Sequence, residues 1–376
     1  RCALVGSSAE DDVTKIPVDR CYIGDVRDVL RAWVGMGVKV NCIVTSPPYW
    51  GLRSYLPAEH DRKRLEIGSE PTLREFLATM VDVFDLCRQL LSDDGVCWVN
   101  MGDSYAGSRQ GPAGVNSSLM GNGHQGGGPK HHMTESRRRD DHEIPRSDLR
   151  VDGLKPKDLV GQPWRLAFAL QDAGWYLRQD VIWAKPNPMP ESVRDRCTKA
   201  HEYLFLLTKS ERYWWDFDAM QEPASPDTHA RYARGRSGSH KYADGGPGGQ
   251  TIARSFEHMK RKLAEVGSGT KNNASMDAAL AVMPSTRNRR SVWTVPTEPY
   301  SGAHFATFPS ALIEPCILAG CPAGGVVLDP FMGSGTTAMV AQRLGRRWLG
   351  IDIDERNLEL QRDRIGRQTA LILDAA

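Results

Sequence analysis

The sequence predicts an α/β protein in which a mostly parallel β-sheet is covered by helices on both faces. Short apolar runs typical of buried strands alternate with amphipathic helical segments. Two predicted strands near the C-terminus are followed directly by acidic residues, at the sheet edge where parallel sheets bind ligands. Two polar, Gly-rich inserts, at about 106–150 and 218–300, interrupt the alternation.

Length and composition agree with this fold class. The 376 residues, of which 40% are hydrophobic and 25% charged, are enough for one large α/β domain with insertions or for two domains. No apolar run approaches the roughly 20 residues that span a bilayer, and the N-terminus lacks a signal pattern, so we expect a cytoplasmic protein. Eight scattered cysteines without C-x-x-C spacing indicate reduced core thiols.

The charge pattern leaves two interpretations open. The net charge is only +2, but basic clusters occur at 136–141, 253–262 and 285–291, all outside the apolar segments. They are either solvated surface or a face that binds a polyanion. His124, His131 and His132 lie in Gly-rich sequence without cysteine partners, so no metal site is expected.

The N-terminal part predicts strand, helix and strand in succession. The strands are expected at 21–24 and 40–45, with a helix at 26–34 between them. Residues 71–95 have helical spacing and end in Asp-Asp-Gly, a stop signal, before a buried strand. A helix and strand follow in 159–186, and 201–216 predicts a strand with an aromatic edge hairpin.

A glycine loop dominates the last block, 305–368, which predicts helix, strand, loop, helix, strand and helix. Strand 326–329 ends in Asp329, a tight loop carries Gly333 and Gly335, and a helix starts at Thr336. The loop lacks the third glycine of a dinucleotide fingerprint and the lysine of a P-loop. An acid before the glycines repels phosphate and suits a ligand with a positive end, such as the amino group of S-adenosylmethionine. Strand 348–351 delivers Asp352, which can accept both hydroxyls of a ribose.

Two motifs together resemble the amino-methyltransferases of DNA from bacteria and phages. "TSPPYW" at 45–50 resembles their catalytic tetrapeptide, and "LDPFMGSGTT" at 328–337 resembles their cofactor loop. Their order is similar to the circularly permuted beta group. The resemblance covers roughly 21–105, 154–217 and 304–368, and it implies a Rossmann-like methyltransferase sheet with S-adenosylmethionine as the cofactor.

The resemblance also implies a division of the chain. Residues 1–105 and 154–217 would form the catalytic half, 304–376 the cofactor-binding half, 106–153 a flexible insert and 218–303 the target-recognition region. The catalytic residues would be Ser46, Pro47, Pro48 and Tyr49. The cofactor residues would be Asp25 near the adenine, Phe308 beside the methionine, and Asp329, Pro330, Phe331, Gly333, Ser334, Gly335, Thr336 and Asp352. The DNA-binding residues would be Trp50, Arg53, Arg194, Arg196, Lys199, Arg254, Lys260, Arg261, Arg287, Arg289 and Arg290.

The residue types suit methyl transfer to an exocyclic amine. Such an amine is unreachable inside a duplex, so the base must be flipped out, and Tyr49 would then provide a stacking face. The Ser46 side chain and the Pro47 carbonyl would accept hydrogen bonds from the amine and aim its lone pair at the methyl group. The prolines hold that carbonyl rigidly.

A serine in the first position favours cytosine N4 in this family, with adenine N6 as the alternative. Methylation at cytosine C5 needs a cysteine nucleophile, and Pro315-Cys316 falls inside a predicted helix. A protein amide methyltransferase and a non-catalytic DNA-binding module are further alternatives. The expected partners are double-stranded DNA of a specific sequence and a cognate restriction endonuclease, unless the protein is an orphan, and we expect a monomer or homodimer.

Overall fold

A central eight-stranded sheet organises the described part of the protein. The computed structural model describes residues 15–51, 54–57, 59–106, 153–155, 157–224, 286–298 and 308–374, with side chains as far as 366. The strands are β1 Arg20–Ile23, β2 Val40–Thr45, β3 Leu91–Met101, β4 Tyr176–Ala184, β5 His201–Thr208, β6 Gln221–Pro223, β7 Thr286–Asn288, β8 Val292–Thr294, β9 Val326–Asp329 and β10 Arg347–Asp352. The α-helices are α1 Val26–Met36, α2 Leu73–Leu90, α3 Gln162–Asp172, α4 Ser310–Gly320, α5 Thr336–Arg343 and α6 Asn357–Asp374.

The sheet is mostly parallel, as predicted. Its strand order is β1-β10-β9-β2-β3-β5-β4-β8. Every neighbouring pair is parallel except the two pairs that involve β5, which runs against the other strands. The C-terminal strands β10 and β9 are therefore inserted between the N-terminal strands β1 and β2, and β2 lies directly beside β9.

Helices cover both faces of the sheet in two sets of three. Helix α2 packs against α1 and α3, while α5 packs against α4 and α6. Helix α2 begins with a capping box in which Thr72 and Glu75 satisfy each other's backbone N–H groups. Its buried side, which includes Phe76, Met80 and Phe84, has the three- and four-residue spacing that the sequence predicts. Pro315 and Cys316 are buried inside α4, in agreement with their interpretation as core residues.

The boundary between α2 and β3 differs from the prediction. The helix ends at Leu90, and the polar triplet Asp93-Asp94-Gly95 lies inside β3 instead of ending the helix. The pairing with β2 moves from Val40↔Leu91 to Cys42↔Val96, so the triplet bulges out of the ladder. Turn-forming residues thus mark a bulge here.

The predicted edge hairpin in 201–216 is wrong. Strand β5 lies inside the sheet between β3 and β4, and residues 209–216 form turns and irregular backbone. The edge strand at this end of the described sheet is β8, which falls in the stretch that the sequence marks as polar insert. Trp293 on β8 is buried against Trp98, with 6.2 Å between ring centroids, and this packing fixes so short a strand.

A second compact unit comprises Met220–Arg289. Its described residues form an antiparallel pair of short strands, β6 and β7, in which Arg287 Nε donates to Glu222 Oε1 at 2.8 Å. Most residues of the two predicted inserts lie outside the described residues, so their predicted flexibility stays a prediction. None of the helices in the described part of the chain combines the length and apolar character needed to cross a lipid bilayer.

Candidate active site

The carboxyl ends of five parallel strands bring most of the predicted site residues to one edge of the sheet. In the spatial order β1, β10, β9, β2 and β3, these ends carry Asp25, Asp352, Asp329, Ser46 and Asp103. Because β2 and β9 are direct neighbours, the Ser-Pro-Pro-Tyr stretch and the glycine loop start side by side. The edge is the place where an open α/β sheet binds ligands.

Asp329 joins the two motifs by its side chain. Its Oδ1 accepts hydrogen bonds from Thr45 Oγ1 at 2.7 Å and from Phe331 N at 3.0 Å, and its Oδ2 accepts one from Thr337 Oγ1 at 2.7 Å. Thr45 is 284 residues away in the chain. Asp329 is only 2% exposed, and burial raises the pKa of its carboxyl to about 6 despite these hydrogen bonds. The carboxylate is therefore occupied by donors of the protein itself.

Asp352 has a less occupied carboxylate. Its Oδ1 accepts from Asp354 N at 2.9 Å and its Oδ2 from Asn357 Nδ2 at 3.0 Å. A carboxylate offers about four lone-pair sites, so each oxygen retains acceptor capacity. Burial, together with the charges of Asp354 and Asp329, raises the pKa of Asp352 to about 7.

Two side chains of helix α6 form hydrogen bonds with the glycine loop. Gln361 Nε2 donates to the Gly333 carbonyl at 2.8 Å, and Arg364 Nη1 donates to the Ser334 hydroxyl at 2.6 Å. Gly335 has φ of 82°, a conformation that favours glycine, and a Cβ there would lie 3.2 Å from Gln361 Cγ. Sequence reasoning missed Gln361 and Arg364, because nothing local to the loop motif points to a helix that follows the next strand.

The other predicted cofactor residues lie at or near this edge. Asp25 is the N-cap of α1, and it also accepts from the Arg27 guanidinium at 2.9 and 2.5 Å. Burial would raise the pKa of Asp25, but the hydrogen bonds from Arg27 prevail and lower it. Pro330, Thr336 and Phe308 are buried, and Phe331 is half-buried.

The catalytic tetrapeptide continues from the end of β2. Ser46 and Tyr49 are half-buried, whereas Pro47 is buried. Tyr49 Oη donates to Glu202 Oε2 at 3.1 Å, and both side chains lie against Gly102. A Cβ on Gly102 would lie 3.0 Å from the Tyr49 ring and 3.1 Å from the Glu202 carboxyl, so a larger residue there would push on both side chains.

Trp50 is a correction to the sequence analysis. It was predicted to contact DNA, but it is 3% exposed and its indole Nε1 donates to the Glu70 carbonyl at 2.8 Å. Its backbone N–H donates to Gln162 Oε1 at 2.9 Å, while Gln162 Nε2 donates to the Ser104 hydroxyl at 2.6 Å. Gln162 is completely buried at the start of α3, so it fixes the C-terminal end of the tetrapeptide.

Glu202 is the centre of a polar network that sequence reasoning also missed. Its Oε1 accepts from Lys185 Nζ at 2.5 Å, and its Oε2 accepts from Asn100 Nδ2 at 3.2 Å in addition to Tyr49. The sequence offered one signal, since Glu202 is a charged residue at the start of the apolar run of β5.

The predicted DNA-binding residues are dispersed. Arg194 is exposed, Arg196 lies 3.9 Å above the Tyr105 ring and pairs with Glu191, and Lys199 has a buried Nζ. Arg287 pairs with Glu222 in the second unit, which also contains Arg289, whereas Arg290 belongs to the first unit. Arg53, Arg254, Lys260 and Arg261 lie outside the described residues.

Comparisons with known proteins agree with the motifs and the fold. A family model described as DNA methylase, for the N6/N4 methyltransferases, matches residues 40–363. Type II methyltransferase M.Cfr9I of Citrobacter freundii is 39% identical over 94% of this chain and 90% of its own length. M.SmaI of Serratia marcescens is 37% identical over 93% and 91%. Among solved structures, PvuII DNA methyltransferase (cytosine-N4-specific) has a TM-score of 0.51 at 15% identity, covering 93% of this chain and 89% of that one, a likeness of fold. The chain therefore belongs to the N6/N4 family of DNA methylases, with its motifs in the beta arrangement.

Proposed function

We propose that this DNA methyltransferase transfers a methyl group from S-adenosylmethionine to the N4 amine of a cytosine flipped out of a specific DNA sequence. The main support for this proposal is the 2.7 Å hydrogen bond from Thr45 to Asp329, which links the catalytic tetrapeptide directly to the glycine loop. It fixes the first residue of the catalytic tetrapeptide, Ser46, at the edge that also carries the glycine loop.

The residues on the cofactor side suit S-adenosylmethionine, which supplies an electrophilic methyl group on a sulfonium sulfur. Asp352 has acceptor capacity left on both oxygens, as the two hydroxyls of a ribose require. Asp25, Phe308 and residues 330–336 complete the proposed pocket. We give Asp329 a different role from the predicted one, because its buried carboxylate already accepts hydrogen bonds from Thr45, Thr337 and the Phe331 N–H. It positions the loop and the tetrapeptide relative to each other.

On the target side, Ser46 and the Pro47 carbonyl accept hydrogen bonds from the N4 amine. These bonds would draw the nitrogen toward tetrahedral geometry and direct its lone pair at the methyl carbon; the S–CH3 bond would break as the N–CH3 bond forms, and the amine would then lose one proton to water. Tyr49 stacks on the flipped base, with an energy of about 1–3 kcal/mol. Its hydroxyl is fixed by Glu202, and the backbone that follows is fixed by Gln162, so the ring is oriented before DNA binds.

Cytosine is favoured over adenine by the residue type at position 46. Adenine N6 remains the alternative, since a serine oxygen can accept from either amine. We assign target recognition to 218–303. A restriction endonuclease of the same specificity is the expected partner, and the enzyme acts as a monomer or homodimer.

Analysis of modified nucleosides tests the target base. DNA incubated with the purified protein and S-adenosylmethionine is digested to nucleosides and separated by chromatography with mass detection. We expect N4-methylcytosine, and its loss in Ser46→Ala. N6-methyladenine as the product would overturn the cytosine assignment, while unmodified DNA of diverse sequence would overturn the activity itself. Single-molecule sequencing of the same DNA identifies the recognition site.

A further inference from the structure

Lys199 lies at the same sheet edge as the catalytic tetrapeptide. It precedes β5, whose first residue His201 pairs with Ala184 at the end of β4, and a backbone hydrogen bond from Lys185 N to Ala200 O closes this corner. The two carboxylates whose charge favours the Lys199 ammonium most are Asp103 and Glu202. Both carboxylates lie near Tyr49. Glu202 accepts a hydrogen bond from the Tyr49 hydroxyl, and Asp103 is the residue after Gly102, which packs against the Tyr49 ring.

The Lys199 ammonium is in an unusual environment. Its Nζ is buried and has no hydrogen-bond partner within the described residues. Buried ammonium groups are normally paired, because an unpaired one loses the hydration of its charge. Other lysines with little exposure follow that rule, such as Lys185 with Glu202 at 2.5 Å and Lys63 with Glu66 at 2.7 Å. Burial lowers the pKa of Lys199, and the nearby carboxylates oppose that effect only in part.

The carboxylates near Lys199 are committed to other donors. Asp103 accepts from three backbone N–H groups, those of Ser104, Gly161 and Gln162. Glu202 accepts from Lys185, Tyr49 and Asn100. The two carboxylates therefore attract the Lys199 ammonium electrostatically but make no hydrogen bond with it, so its N–H donors stay available for a ligand.

The burial of the Lys199 ammonium favours a neutral acceptor over a phosphate. Glu202 pairs with Lys185 and Glu191 pairs with Arg196, so the charges around Lys199 nearly balance and do not select an anion. A phosphate remains at the DNA surface, whereas Nζ is buried. The carbonyl oxygen or ring nitrogen of an extruded base is uncharged and enters the interior.

We propose that Lys199 is a specificity-determining residue whose ammonium donates a hydrogen bond to N3 or O2 on the edge of the flipped cytosine. This inference rests on the proposed function. It gives the pocket a donor that complements the acceptors Ser46 and Pro47, so that the edge of the base is read by groups of both kinds.

Duplexes with and without the target base test this proposal. The DNA carries the recognition site mapped by sequencing, with either cytosine or an abasic nucleotide at the target position, and binding is measured with S-adenosylhomocysteine present. Lys199→Met keeps the aliphatic stem and removes the donor. We expect about tenfold weaker binding to the cytosine duplex, equivalent to about 1.4 kcal/mol, and less than about twofold change on the abasic duplex. The salt dependence should stay unchanged.

Three results would contradict the role of Lys199. Equal losses on both duplexes, or a salt slope reduced by about 0.9, would identify a phosphate contact, and unchanged binding would remove the residue from recognition. Lys157→Met, which alters an exposed lysine in an ion pair, is the matched control. Lys199→Gln keeps a donor and should lose less than Lys199→Met, which separates donor loss from a folding defect. If the wild-type enzyme methylates no cytosine, the proposed function fails, whatever the variants do.

Discussion

The Asp352 carboxyl should make nucleoside binding depend on pH near neutrality. Its pKa is about 7, raised from the usual 3.8 mainly by burial. If its carboxylate accepts the ribose hydroxyls, the ionised form is the better acceptor, because charge-assisted hydrogen bonds are the stronger ones. Affinity should therefore rise with pH through this pKa.

The expected size of the pH effect on nucleoside affinity follows from the pKa of Asp352 alone. A carboxyl with a pKa of 7 is about one-eleventh ionised at pH 6 and about ten-elevenths ionised at pH 8. If only the ionised form binds, the dissociation constant should fall about tenfold between these two pH values. Asp329, with a pKa of about 6, also titrates in the lower part of this window, so an Asp352 variant is needed to separate the two groups.

The probe should carry the ribose but no titrating amino acid group. 5′-Methylthioadenosine meets this requirement, and isothermal titration calorimetry between pH 5.5 and 8.5 measures its dissociation constant. Asp352→Asn keeps the shape of the side chain and should give a flat profile with weaker binding at pH 8. A flat profile in the wild-type protein, or the same slope in Asp352→Asn, would refute the assignment of Asp352 to the ribose.

Three other perturbations separate the roles within the site. Ser46→Ala and Tyr49→Ala should sharply reduce methylation while calorimetric cofactor affinity stays nearly unchanged; loss of that affinity in both would contradict the division of roles. Gln162→Leu removes the acceptor of the buried Trp50 N–H, which should lower the free energy of unfolding by about 1–3 kcal/mol. Because this bond fixes the end of the tetrapeptide, kcat should fall while the dissociation constant of the cofactor stays unchanged. An unchanged kcat would exclude a positioning role for Gln162. The folded pKa of Asp329, about 6, exceeds its usual 3.8, so its stabilising contribution is present below about pH 4 and lost as pH rises through 6. Wild-type protein should thus lose about 2 kcal/mol in urea unfolding between pH 4 and 7 that Asp329→Asn retains, and parallel profiles would contradict this.

The sequence predicts the sheet edge well because the signals there are local. Strand β2 and the start of α5 lie where the apolar runs and glycines place them, and Asp352 ends its strand. The order of the two motifs also predicts the beta arrangement, which the family match confirms.

Side-chain roles that depend on distant partners could not be predicted. Trp50 follows the catalytic tetrapeptide, and only the tertiary packing shows that it is buried, with its N–H held by Gln162. Asp329 has the residue type for binding a cation, but the hydroxyls that occupy it come from Thr45 on another strand and from α5. The bulge in β3 was misread for a similar reason, since a polar triplet ends a helix or bulges from a strand depending on the neighbouring chain.

The interleaving of the two chain ends has a consequence for synthesis. Strands β1 and β2 form from the first part of the chain, but their neighbours β10 and β9 follow some 285 residues after β2, as in the pairing of Cys42 with Val327. At about 5–20 residues per second, a ribosome needs roughly 15–60 s to deliver them. During that interval the backbone of nascent β1, and the edge of β2 that later pairs with β9, are open to incorrect association. A chain released early would therefore be a substrate for chaperones or proteases, and not a weakly active enzyme.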